Sequence, residues 1–188
     1  MVLTADFRTN LGRMILAIGS LQFIVAMLIA EQLYPNYNPL VNYISDLGAL
    51  KAPTALLFNT SVFLLGLLGF VAAILLKKEI GVSLIFLILA SVGSMGVGLF
   101  PEDYPLPHIV SALMAFLFGA VATIGIGRKI GKFYKPFGTV LGSISLIALI
   151  LFVLRVETPL GIGGMERLIA YPVLIFFIVY GLGAMKAR

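Results

Sequence analysis

Charge is what this chain has least of. Of its 188 residues 61% are hydrophobic and only 11% are Asp, Glu, Lys or Arg. Soluble domains carry about 25% charged and about 45–50% apolar residues, so a chain of this composition cannot cover a water-facing surface. Cysteine is absent, which excludes a disulfide framework and a thiolate metal site. The only histidine is His108, which excludes any centre that needs two or more imidazoles. No G-x-S-x-G elbow, low-complexity tract or convincing internal repeat occurs. At this length one domain, 1–188, is expected.

What is present is a series of six apolar runs, at 12–30, 54–76, 80–100, 108–127, 136–154 and 168–185. Each is close to the ~20 residues of helix that cross ~30 Å of hydrocarbon. Membrane strands would be half as long and would alternate, so a barrel is excluded. The first run is too long for a signal core and no small-residue cleavage site follows it. The expected fold is all-α: a polytopic integral membrane protein, a six-helix transmembrane bundle forming a single transmembrane domain.

The basic residues orient it. Arg8, Arg13, Lys77, Lys78, Arg128, Lys129, Lys132, Lys135, Lys186 and Arg188 fall on one side, and only Lys51, Arg155 and Arg167 on the other. That bias predicts both termini in the cytoplasm, in the cell (plasma) membrane. The carboxylates divide oppositely, leaving a net +8 inside and −3 outside. The overall charge of +5 is thus a topology signal whose natural partners are anionic membrane lipids. No nucleic-acid partner is expected.

The polar side chains converge on the outer rim. Glu31–Pro53 is the longest connection, "PEDYPLP" is stiffened by three prolines, and "RVETPLGIGGMER" reads as flexible in its glycine-rich middle. Lys77–Glu79 and Arg128–Lys135 read as short inner turns. A long loop without structure of its own is usually one that binds or works. In "NYISDLG", Ser45 and Asp46 serve either as a helix cap, with Asn42 in the same turn, or as the polar floor of a pocket. Because adjacent residues diverge by about 100° on a helix and to opposite faces of a strand, Ser45 and Asp46 do not make a natural nucleophile and orienter for one imidazole.

Asn59 lies about one turn into a span and is expected to bond a neighbouring helix or line a cavity, since an unpaired amide in hydrocarbon is costly. His108, at the start of the fourth run, is either a structural residue bonded to Glu102 or Asp103 or a general base or ligand-binding residue. Arg167 needs an anion, for which Asp46, Glu166, Glu157 and a lipid phosphate are candidates. The candidate catalytic residues are therefore His108, Asp46 and Ser45, and the candidate ligand-binding residues Asn42, Asn59, Glu166 and Arg167. No metal site and no cofactor is expected. Small residues such as Gly138 and Gly142, a GxxxG pair, signal close helix packing, either within the bundle or in a homo-oligomer.

The segments "NPLVNYISDLGALKAPTALLFNTSVFLLG", "GVGLFPEDYPLPHIVSALMAF" and "GIGGMERLIAYPVLIF" resemble the uncharacterised membrane-protein family catalogued as domain of unknown function 998. That resemblance implies a six-span bundle in prokaryotic membranes and supplies no activity. "YISDLGA", with an early Asn in the next span and a His opening the fourth, is more remotely similar to the six-span group of autophagy-modulator and GPI-lipid-remodelling proteins, whose loop departs from this one at Leu47. The functional expectation is an extracytoplasmic polar pocket that binds or processes a lipid headgroup, with Arg167 on the phosphate, His108 as base and Asp46 orienting it or holding an ion. A non-catalytic scaffold or sensor and a transporter of an apolar or lipid substrate are the alternatives. Whether it is an enzyme stays open.

Overall fold

A computed structural model describes residues 5–183. Its elements are six α-helices: α1 (Ala5–Leu33), α2 (Ala55–Ile80), α3 (Ser83–Leu99), α4 (Pro105–Ile130), α5 (Tyr134–Val153) and α6 (Gly161–Leu182), with a short 3-10 turn at Ser45–Gly48. No strand occurs among the described residues. Five helices are long and apolar enough to cross a membrane, and α3, with 17 residues, is the shorter apolar one. The chain is a helical, multi-pass membrane protein. The end of the sixth apolar run beyond 183, together with Lys186 and Arg188, lies outside the described residues.

Most helices overrun the apolar windows that reveal them. Polar residues at headgroup depth do not stop a helix; glycine and proline do. Lys77, Lys78 and Glu79 are therefore the last turn of α2 and not a turn of their own, and the reversal falls at Gly81, whose φ of 57° suits a residue without Cβ. Arg128–Ile130 likewise end α4. Glu31 is in the last turn of α1, so the connection to α2 is shorter than the sequence implied.

The largest correction is at α6. Its glycine-rich start, expected to be flexible, is helical from Gly161. Consequently Glu166 and Arg167 lie in its second turn, not at the helix N-terminus.

The helices form a ring in chain order. Each packs against the next, and α6 closes the circle on α1. One face of the ring carries the 34–54 loop (the loop face), and the opposite face carries the lysine- and arginine-rich turns (the basic face). A core of Leu16, Leu76, Ile80, Ile126, Phe176 and Tyr180 closes the interior toward the basic face. There Arg13 pairs with Glu79 and lies 5.3 Å above the Tyr180 ring, tying α1, α2 and α6 together. On the outside, residues such as Ile18, Leu21, Ile85, Ile147 and Ile150 are exposed, as a lipid-facing surface requires.

The GxxxG pair of α5 is used inside the chain. A Cβ at Gly138 would sit 2.7 Å from the Thr123 carbonyl oxygen, and one at Gly142 2.7 Å from that of Ala120. These contacts bring the basic-face half of α5 onto α4 with no room for a side chain. The other half of α5 leans on α6, where the Ser145 hydroxyl donates to the Ile169 carbonyl at 2.7 Å and Ala148 and Leu149 pack on Met165 and Ile169. Thus α4 and α5 meet at one end and part toward the loop face.

Candidate functional site

The residues singled out in the sequence separate into two groups. The first holds the long loop to the bundle. Arg167 is 7% exposed, and all five of its N–H groups find protein acceptors. Nη2 donates to Glu31 Oε1 at 2.6 Å and to the Tyr37 hydroxyl at 2.7 Å, and Nε donates to Glu31 Oε1 at 3.2 Å. Nη1 donates to the carbonyls of Pro39 and Gly163, each at 2.9 Å, with Asn42 O farther off at 3.4 Å. One guanidinium fork thereby fastens the end of α1, two points of the loop and its own helix. None of the carboxylates expected for Arg167 is used; the side-chain anion it meets is Glu31.

Tyr37 completes this latch. Its hydroxyl accepts from Arg167 and donates to the Tyr43 carbonyl at 2.6 Å. Burial pushes its pKa up to about 12, against the opposing pull of the Arg167 charge, so it stays protonated and can act in both directions. Asn42 and Asp46 shape the loop itself: Asp46 Oδ2 accepts from Asn42 Nδ2 at 2.9 Å and from the Tyr43 N–H at 3.0 Å. Asp46 therefore does cap a backbone N–H, though of the turn before the 3-10 helix. Asn59 Nδ2 donates to the Gly48 carbonyl at 2.8 Å, reaching the loop and not another helix, and Asp103 Oδ2 accepts from the Leu50 N–H at 2.7 Å.

The glycines of "GIGG" now have a reason. A Cβ on Gly163 would collide with the carbonyl oxygens of Asn42 and Pro39, and the Gly163 N–H donates to Leu40 O at 3.1 Å. The loop backbone lies directly on the first turns of α6. That contact requires glycine there.

The second group lines a cleft. Where α4 and α5 part, a cavity of about 960 Å³ opens, walled by Ile109, Leu113 and Phe116 of α4, Leu149 and Phe152 of α5, and Ile162 and Met165 of α6. Phe116 is 11 residues into its helix from Pro105, or about 16 Å deeper at 1.5 Å per residue. Polar groups gather at the loop-face end: Ser45, Glu102, His108, Arg155, Glu157 and Glu166. Behind them an apolar cavity of about 100 Å³ occupies the ring interior, and Ser45, His108 and Glu166 border both spaces.

His108 and Glu166 are deeply placed, 9% and 6% exposed. His108 Nδ1 lies 2.8 Å from the Phe100 carbonyl oxygen. A carbonyl only accepts, so Nδ1 carries the proton and Nε2 of the neutral ring is left with a lone pair. The ring is oriented by this backbone carbonyl and not by Asp46, Glu102 or Asp103. Glu166 Oε2 accepts from the Ile44 N–H at 2.5 Å, and among the described residues no donor reaches its Oε1. At the rim, burial pushes the Glu102 carboxyl above its usual 4.5; the Ser45 hydroxyl opposes the shift, and nearby Asp46 and Asp103 add to it.

Three residues were missed by sequence reasoning or given the wrong role. Glu31 was placed in the loop, although a carboxylate at the edge of an apolar run is itself a signal that a cation must meet it. Tyr37 carried no signal beyond its aromatic character. Glu102 was treated as a partner for His108, whereas it faces Ser45 and Asp46. No grouping of three or more His, Asp or Glu fit to hold a metal ion occurs among the described residues.

A family profile described as "Protein of unknown function (DUF998)" matches residues 17–183. No curated protein and no solved structure matches the chain.

Proposed function

The chain belongs to the DUF998 family of proteins of unknown function, and from its own geometry we propose that it binds a membrane amphiphile in the cleft between α4 and α5. The observation that carries this reading is the division of the cleft. Its deep walls are apolar and its loop-face end holds buried, incompletely bonded polar groups, Glu166 and His108. Ligand sites have this composition: mostly apolar, with a few placed polar groups. Ile109 and Leu113 beside it are exposed on the outside of the bundle, the surface that acyl chains would meet in a bilayer.

In this reading α3 also crosses the bilayer, giving six spans with both termini in the cytoplasm and the loop face outside, in the plasma membrane. Its 17 residues give about 26 Å of helix, enough for a thin or locally adapted bilayer. Arg167 acts on the loop and not on the ligand. The groups left to meet a headgroup are Ser45, His108, Thr158 and Glu166. A transport route is disfavoured because the ring is sealed toward the basic face by Phe176 and Tyr180.

The test is photo-crosslinking in vesicles with a phospholipid bearing a diazirine in its acyl chain. Labelling should concentrate on 105–116 and 149–162 and should fall when Leu113→Trp fills the cleft. Labelling spread evenly over all the helices, unchanged by that substitution, would sink the proposal. The chain lacks cysteine, so a single cysteine at exposed Leu50 (57%) reports orientation: an impermeant maleimide should reach it in intact cells.

A further inference from the structure

We infer that the polar end of the bound amphiphile is a cationic amine and not a phosphate. This inference rests on the cleft reading above and gives its ligand a chemical class. The acidic and basic side chains lining the cleft are three carboxyl groups, Glu102, Glu157 and Glu166, against one guanidinium, Arg155. Arg167 does not redress the balance: its charge is met by Glu31 and its donors are all engaged.

Hydrogen-bonding capacity points the same way. The deepest titratable groups of the cleft, Glu166 and His108, offer acceptors, and the hydroxyl of Thr158, also buried without a partner there, can donate or accept. Glu166 is 94% buried by its 6% exposure, one of its oxygens is held by the Ile44 N–H, and the other has no donor among the described residues. His108 donates from Nδ1 to the Phe100 carbonyl, so its neutral tautomer offers the lone pair of Nε2. The second Glu166 oxygen keeps its accessible surface toward the cleft, where it can accept from a donor on a bound molecule. An ammonium brings three donors and no acceptor, so it satisfies this set. A phosphate brings only acceptors and adds repulsion with Glu102 and Glu166. Tyr43 and Phe152, packed edge to face at 6.0 Å beside these groups, add aromatic surface on which a cation is favoured.

The chain contains no tryptophan, so Phe152→Trp gives a single indole at the mouth of the cleft. In phosphatidylcholine vesicles this variant is titrated with dodecylamine, dodecyl phosphate and dodecanol, compared at equal mole fraction in the bilayer. Dodecylamine should half-saturate the fluorescence change at about one tenth of the dodecyl phosphate level, the discrimination that one well-placed charge pair provides. Glu166→Gln should reduce that preference to about threefold or less. Should this variant fail to fold, the exposed rim variant Glu157→Gln should narrow the same ratio. Dodecyl phosphate binding as well as dodecylamine would overturn the amine assignment and leave the cleft reading intact. No response to any of the three would overturn both.

Discussion

Replacing Arg167 by alanine removes the group that holds the long loop, and its cost follows from what is left behind. Glu31 would stay buried, its side chain 8% exposed, with no cation beside it. The carbonyls of Pro39 and Gly163 would each lose a donor. Breaking a buried ion pair from one side typically costs about 3–5 kcal/mol. For a chain of this size each kcal/mol moves the midpoint by about 2–4 °C, so thermal unfolding in detergent, followed by circular dichroism, should shift down by about 6–20 °C. Arg167→Lys should recover only part of this, because an ammonium cannot reproduce the planar fork to Glu31, Tyr37 and the backbone. Arg155→Ala, at an exposed position, should move the midpoint by no more than about 2 °C. The decisive comparison is the double variant Glu31→Gln with Arg167→Met, in which no charge is stranded. It should unfold above Arg167→Ala, since removing both partners is far milder than removing one. A midpoint for Arg167→Ala within 2 °C (about half a kcal/mol) of the unaltered protein, or a double variant no better than the single one, would refute the latch.

Two further outcomes follow from the same geometry. Because the folded-state pKa of Glu102 is raised above its usual 4.5, its contribution to stability is complete below that pH and declines as pH rises through the raised value; Glu102→Gln should flatten this part of the Tm–pH profile between pH 4 and 8, and an unchanged slope would count against the placement of Glu102 beside Asp46. Gly142→Leu would drive a side chain into the Ala120 backbone and should cost about 1–3 kcal/mol or more, read as a lower midpoint, whereas Leu at the outward Val140, 56% exposed, should cost almost nothing.

The class of the molecule was legible because hydrocarbon imposes a length and a composition on any segment that crosses it, and the apolar runs obey both. The helix ends were less so: apolarity reports where lipid is, while Gly81, Gly131 and Gly161 report where the helix stops or starts. The α6 start was misread for a specific reason. Glycine at 161–164 signals flexibility when a segment is considered alone, but here it admits the backbone of residues 39–42. Arg167 was recognised as needing an anion, yet its partner lies 136 residues away at the end of another helix, and one chain's periodicity carries no information on such a pairing. Of the candidate residues, Ser45, His108 and Glu166 share the cleft, while Asn42, Asp46, Asn59 and Arg167 shape or fasten the loop. Polarity marked both groups alike; only the direction of each hydrogen bond separates them.

The wedge between α4 and α5 has a consequence for how a molecule would arrive. If the cleft takes an amphiphile as proposed, the fastened loop lies over its polar end, and the outward-facing Ile109 and Leu113 leave its side open between the helices. Occupancy would then follow the mole fraction of the amphiphile within its leaflet, so a compound barely soluble in water would saturate the protein readily.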